Sequence, residues 1–367
     1  MPKLTHPTPY NSAVTRFFVR RGWIAIVIGL ALLLVPNELW RSLVPIGDSL
    51  PTATGLPTQD AGEAAYQQGL ALAASDPLAA LPLLEGLMFS DHPAADEART
   101  LAQAIQAGRL ADNPAYLYTI SGQALAAIGE WRLARQALLQ AVQLAPDYAE
   151  AWAYLGEAQY QNGEDGYPAL KRALDLNPDS MSAHLFSALY WQRQHDYEQA
   201  NLHFYVAASL DPENPDIYVQ WGKSAMLAGE PVEARSLFER AAELRPDDPQ
   251  VWIALAEYSV ESELYVEELG VPAASKLVTA DPTNVEALVL LGRAYVLLGR
   301  GETGRVFLER AVELEPAYAQ GHYFLAIFQL AEGEFEPALV HLNLVISLAP
   351  GSHEARLASE LIIQYTH

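Results

Sequence analysis

The chain has 367 residues, 51% of them apolar, with 24 prolines and 23 glycines scattered along it, which suits one to three packed domains and excludes a collagen-like or disordered chain. It has no cysteine, so disulfides, thiolate metal sites and thiol catalysis are excluded, although the compartment is not fixed. Residues 1–22 carry Lys3, Arg16, Arg20 and Arg21 and no acid, while the remainder has 18 bases against 45 acids, a net of −27 that argues against nucleic-acid binding.

The first predicted element lies in "RFFVRRGWIAIVIGLALLLVPNELW", whose uninterrupted apolar core runs 13 residues from Trp23 to Val35. Such a helix is about 20 Å long, against a bilayer core of about 30 Å. A start at Phe17 gives 19 residues and about 28 Å, with Arg20 and Arg21 reaching back to the headgroups and Trp23 and Trp40 near the two interfaces. A cleaved signal peptide has the same opening, but no small-x-small site follows closely, which favours an uncleaved signal anchor over 17–35. The flanking bases then assign residues 1–16 to the cytoplasm as a basic tail, and put the body on the periplasmic side of the cytoplasmic membrane. Residues 36–60, rich in Pro, Thr and Ser, read as a tether.

Three helical segments follow, at 62–74, 77–88 and 94–108. They lack the pattern found further on, so 61–114 reads as an N-terminal helical cap or a decayed repeat.

A repeat then takes over. Dipeptides such as "NP", "AP", "DP" and "RP" end in Pro114, Pro146, Pro178, Pro212, Pro246, Pro282, Pro316 and Pro350, at spacings of 32, 32, 34, 34, 36, 34 and 34. Six residues beyond most of these stands a large side chain (Trp152, His184, Tyr218, Trp252, Leu288, His322), and ten beyond a small one (Gly156, Ala188, Gly222, Ala256, Gly292, Ala326). Later in the units Ala134, Ala200, Ala234 and Ala338 are each followed four residues on by Leu138, Phe204, Phe238 and Leu342. Each unit is thus two amphipathic helices of about 13 residues closed by Pro, with small residues where the two helices meet. One pair cannot bury both its faces, so the pairs stack into a solenoid. The unit at 147–178 is two residues short, around "NGEDGYPAL", and the unit at 247–282 is two long, around "SVESELYVEELGVP", where the solenoid is expected to bend or loosen. Residues 351–367 read as a capping helix with Leu357, Leu361 and Ile362 inward.

This pattern resembles the tetratricopeptide repeat family over residues 115–350, in seven units, most closely at 213–246. The resemblance implies an all-α, right-handed solenoid of about seven helix-turn-helix repeats with helical caps, here preceded by one transmembrane helix.

No Gly-rich phosphate loop, G-x-S-x-G or H-E-x-x-H occurs, so no catalytic residue and no cofactor is assigned and the chain is not expected to be an enzyme. His184 and His322 stand where other repeats place Trp or Tyr and read as packing residues rather than metal ligands. His195 and His203 lie eight apart across a turn. The acids of "ESELYVEEL" read as an irregular solvated helix, and no metal is assigned.

In the family that the pattern resembles, the first helix of each pair lines a concave groove through its second, fifth, ninth, twelfth and thirteenth positions. Carried over, these give Leu185, Leu189, Val219, Lys223, Met226, Ile253, Glu257, Val289, Arg293, Tyr323 and Ile327 as the partner-binding groove. Its floor is largely apolar, and Glu150, Asp216 and Glu286, with Glu157 and Glu257, add acids that select basic flanks. The expected partner is therefore a protein segment, apolar or basic, and membrane-associated, with the N-terminal helix holding the chain to the membrane and no nucleic acid involved. The alternative is that the solenoid packs these residues against itself. Two roles fit the groove: an accessory subunit of a membrane complex, or an assembly factor similar to the anchored tetratricopeptide proteins of c-type cytochrome maturation. A scaffold for cell-envelope polysaccharide export is the rival reading.

Overall fold

The computed structural model of the chain describes residues 59–366, which are helical apart from short turns. The chain divides into two compact units, one ending at Pro212 and the other beginning at Glu213. In the first unit α1 (Gln59–Ser75), α2 (Pro77–Leu87) and α3 (Ala95–Leu110) precede three hairpins. These pair α4 (Pro114–Ala127) with α5 (Trp131–Leu144), α6 (Ala149–Gln161) with α7 (Tyr167–Leu176), and α8 (Met181–Arg193) with α9 (Tyr197–Leu210).

The second unit holds four more hairpins and a final helix. They are α10 (Pro215–Ala228) with α11 (Pro231–Leu244), α12 (Pro249–Ser262) with α13 (Val271–Ala280), α14 (Val285–Leu297) with α15 (Gly301–Leu314), and α16 (Ala319–Ala331) with α17 (Phe335–Leu348), then α18 (His353–Thr366).

Local chemistry sets these boundaries. Asn113, Asn214 and Asp248 each accept hydrogen bonds from backbone N–H groups of the turn they open, and each is followed by Pro at the first helical position. Most first helices end at a left-handed glycine, Gly129, Gly163, Gly229, Gly299 or Gly333, which turns the chain into its second helix. His195 takes that place in the third hairpin with φ 63°, a conformation that costs a residue with a Cβ about 1–3 kcal/mol.

The small residue ten beyond each proline has a steric cause. A Cβ on Gly156 would stand 2.6 Å from Leu170, and one on Gly292 2.8 Å from Leu308, so the helices of a hairpin touch where one side chain is missing. In the short unit the approach is closer still. A Cβ on Gly166 would lie 1.9 Å from the Gly156 carbonyl oxygen, so two glycines let the backbones meet and α7 shrinks to ten residues.

The long unit departs from the regular hairpin just after α12. Its two extra residues are taken up by left-handed Glu263 and Tyr265 and a π-helical turn, Val266–Gly270, before α13. The turn is pinned: Ser259 Oγ donates to the Leu264 carbonyl at 2.7 Å, Arg300 pairs with Glu267 at 2.6 Å, and the Arg235 guanidinium lies 4.3 Å from the Tyr265 ring centre.

One expectation is overturned. Among the described residues no helix is long and apolar enough to cross a membrane. The longest helix, α1, has 17 residues and a polar stripe, and the others spend their apolar faces on neighbouring helices. The segment 17–35 read as a transmembrane anchor lies outside the described residues, as do the basic tail and the tether up to residue 58. Among the described residues the fold is accordingly an all-α solenoid with no membrane-spanning helix, and the single-pass placement in the cytoplasmic membrane with a periplasmic body is not supported.

Candidate partner-binding surface

Within each unit the first helices of successive hairpins pack side by side, α4 on α6 and α6 on α8 in one, α10, α12, α14 and α16 in the other. At four repeats the large residue six beyond the proline bonds back to that proline's carbonyl. Trp152 Nε1 donates to the Pro146 carbonyl at 2.9 Å and Trp252 Nε1 to that of Pro246 at 2.7 Å. His184 Nε2 and His322 Nε2 meet the Pro178 and Pro316 carbonyls at 2.9 and 3.0 Å. A ring N–H thus satisfies a carbonyl that the turn leaves without a helical partner.

The ninth positions of the first helices behave differently in the two units. In the first unit Gln123, Glu157 and Leu189 are 1%, 2% and 3% exposed. Glu157 receives both arms of Arg193 from the next first helix, at 2.8 and 2.9 Å, and a third bond from Gln161 at 2.6 Å. Arg193 also lies 4.5 Å from the centre of the Tyr160 ring. Leu185 is buried as well. The two groove residues expected in this unit, Leu185 and Leu189, are therefore core.

In the second unit Val219, Ile253 and Val289 at the fifth position are also buried. Lys223, Met226, Glu257, Arg293, Tyr323 and Ile327 are all partly open to solvent. They form a charged and aromatic stripe across α10, α12, α14 and α16. Glu257 keeps some solvent access, yet crowding by protein pushes its carboxyl up to about 7. Lys223 and Arg293 oppose that rise, while Glu261 and Glu286 add to it. Glu261, one turn further along α12, is solvent-exposed and its carboxyl is still raised, first by desolvation, against the pull of Arg293 and Lys223. A carboxylate that is open to solvent but hemmed in on most sides is the state expected at the floor of a groove. The Arg293 guanidinium rests 3.9 Å from the Phe324 ring centre, and Glu354 and Glu360 of α18 act on the neighbouring Tyr323 hydroxyl.

Phe324 and the acids of α18 escaped the sequence reading, which has Glu261 only among the acids of an irregular solvated helix. For Glu261 a signal existed, since it sits four residues after Glu257 at the thirteenth position of its repeat. Two of the second-position acids named from sequence are engaged internally. Glu150 accepts from Ser182 Oγ at 2.6 Å, and Asp216 lies 3.9 Å from Arg245. Among the described residues no group of three or more His, Asp or Glu side chains is placed to hold a metal ion.

Tetratricopeptide repeat family models match residues 192–258 and 285–318, and a TPR repeat model matches 122–163. Superkiller complex protein 3 of Mus musculus is 25% identical over 305 residues, covering 71% of this chain and 19% of that protein. Protein O-mannosyl-transferase TMTC3 of Homo sapiens is 24% identical over 253 residues, covering 67% of this chain and 27% of that protein. The chain thus spans under a third of the length of both curated relatives. A solved tetratricopeptide repeat protein from Parabacteroides merdae aligns with a TM-score of 0.53 at 14% identity, over 69% of this chain and 99% of its own, a likeness of fold.

Proposed function

We propose that this chain, a tetratricopeptide repeat protein, is a protein-interaction scaffold that receives a basic, partly apolar segment of a partner on the first-helix face of its second unit. Repeat solenoids present extended surfaces of this kind and need no catalytic group to use them. The observation that carries the reading is the contrast at the ninth position. The same place in the repeat is closed in the first unit, whereas Lys223, Glu257 and Arg293 stand open in the second.

Charge gives the partner's sign. Glu257, Glu261, Glu286, Glu354 and Glu360 outnumber Lys223 and Arg293 among the groups that act along this stripe. Met226, Tyr323 and Ile327 supply the apolar contact between the charges. A lysine or arginine from the partner would favour the ionised form of Glu257, so binding near pH 7 releases a proton.

A role in holding a protein assembly together follows, as accessory subunit or assembly factor. The enzymatic name of one relative belongs to a protein of which this chain spans 27%, and nothing in the stripe supplies a nucleophile paired with a base.

The test uses a fluorescent peptide of alternating Lys and Leu, and its Glu/Leu counterpart, against the full chain. The basic peptide should bind, weaken as salt rises, and lose at least about tenfold in affinity with Glu257→Lys plus Glu261→Lys. Equal binding of both peptides, or indifference to the double substitution, would refute the reading.

A further inference from the structure

Two histidine pairs stand at equivalent places, one in each unit, and the binding surface accounts for neither. His184 Nδ1 lies 3.0 Å from His203 Nδ1, joining α8 to α9. His322 Nδ1 lies 2.8 Å from His341 Nδ1, joining α16 to α17. Both pairs are 19 residues apart in sequence, and both begin at the residue six beyond a proline.

The first member of each pair has its tautomer fixed. His184 Nε2 and His322 Nε2 face proline carbonyls, which only accept, so Nε2 must carry the proton. In the neutral pair Nδ1 of that ring is then the acceptor, and Nδ1–H of His203 or His341 is the donor.

Ring geometry settles what lies between them. The ring centroids are 5.1 and 5.0 Å apart, slightly less than the nitrogen separation plus the radii of two rings. The two nitrogens therefore lie nearly on the line joining the ring centres, the alignment of a straight N–H···N hydrogen bond. A tetrahedral metal bound by both, with bonds of about 2 Å, would set the nitrogens about 3.3 Å apart and turn both lone pairs towards itself rather than along that line.

We propose that each pair is a proton-operated latch on its hairpin, closed with no added proton or one, and opened by the second. One added proton leaves one Nδ1 as donor and the other as acceptor, and it makes the bond charge-assisted. A second proton puts N–H on both facing nitrogens. Donor then meets donor, cation meets cation, and the two helices lose the contact at once. A pair of this kind titrates as a unit.

The surroundings leave the pairs to act on each other. Desolvation, then the His184 charge, lowers His203 to about 4, and desolvation, then His322, lowers His341. Glu309 of α15 opposes the second shift, but Arg305 holds it at 2.8 Å while also bonding Glu334. On α7, which packs against α8, Lys171 and Asp175 pair with each other at the surface. Since the folded values of His203 and His341 lie below the unfolded value near 6.5, the unfolded chain takes up more protons as pH falls. The stability contributed by the latches is whole above about pH 6.5 and is lost progressively towards about 4 for His203.

Glutamine at the second position keeps a donor for the facing Nδ1 but cannot be charged. Between pH 7 and 4.5 the full chain should lose about 2–4 °C more in Tm than His203→Gln plus His341→Gln. Parallel loss in both proteins would overturn the proposal. A second measurement needs no variant: in chain carrying 15N-histidine, NMR should show coupling across each N–H···N bond and stepwise titration of each pair. Four independent rings titrating near pH 6.5 would overturn it equally.

Discussion

The two units use one repeat for opposite ends. In the first, the inner face of the first helices is sealed: Glu157 is bound by Arg193 and Gln161, and Gln123 and Leu189 are buried beside no solvent. In the second, the same positions on α10, α12 and α14 carry charge that stays partly open to solvent. A position in a repeat is thus not a role. Whether it serves the core or a partner depends on what the neighbouring repeats place opposite it.

That contrast can be broken most severely at Glu157. Glu157→Ala removes the carboxylate that both arms of the buried Arg193 hold and should cost about 3–5 kcal/mol, seen in chemical denaturation and, by hydrogen exchange, confined to residues 59–212. Glu257→Ala at the matching place should cost under about 1 kcal/mol, because its carboxylate is partly solvated and crowded by other acids. Equal costs would erase the distinction between the units.

A gain is expected at Gln123. Both polar atoms of its side chain are buried and find no hydrogen-bond partner among the described residues. The third repeat already fills this place with a buried leucine, Leu189. Gln123→Leu should therefore stabilise the chain by about 1 kcal/mol in urea unfolding. A loss of that size would mean that the amide is satisfied.

The finest test is the pH response of Glu257. Its folded value of about 7 lies above the unfolded one, so the folded chain holds the proton more tightly and loses stability as pH rises from about 4.5 to about 7. Glu257→Gln removes that pH dependence. The variant should match the wild type near pH 5 and melt higher at pH 8, the opposite slope to that of the histidine latches. A variant that tracks the wild type across this range would show that the carboxyl is not crowded.

Much of the fold could be read from spacing. Prolines at intervals of 32 to 36 marked the hairpins, and Gly156, Gly222 and Gly292 marked where a helix must lie against Leu170, Phe238 and Leu308. The site was less legible. Family positions named Leu185 and Leu189 beside Lys223 and Arg293 with equal weight, since burial is not written in a single repeat. The histidine pairs were missed because their members lie 19 residues apart on different helices, and only one of each two stood at a recognised position.

The sequence by itself determined the local rules: where helices start at Asn or Asp before Pro, where they turn at Gly, and which small residue meets which large one. These follow from contacts within one hairpin, so a period of about 34 residues suffices to state them. The tertiary structure alone decided which ninth positions are sealed and which are open, how two surplus residues become a π-helical turn, and that His184 and His322 share a proton with a second helix. Each depends on side chains brought together from different helices, and the physical cause is competition for the same space, charge and solvent between groups that the chain order keeps apart.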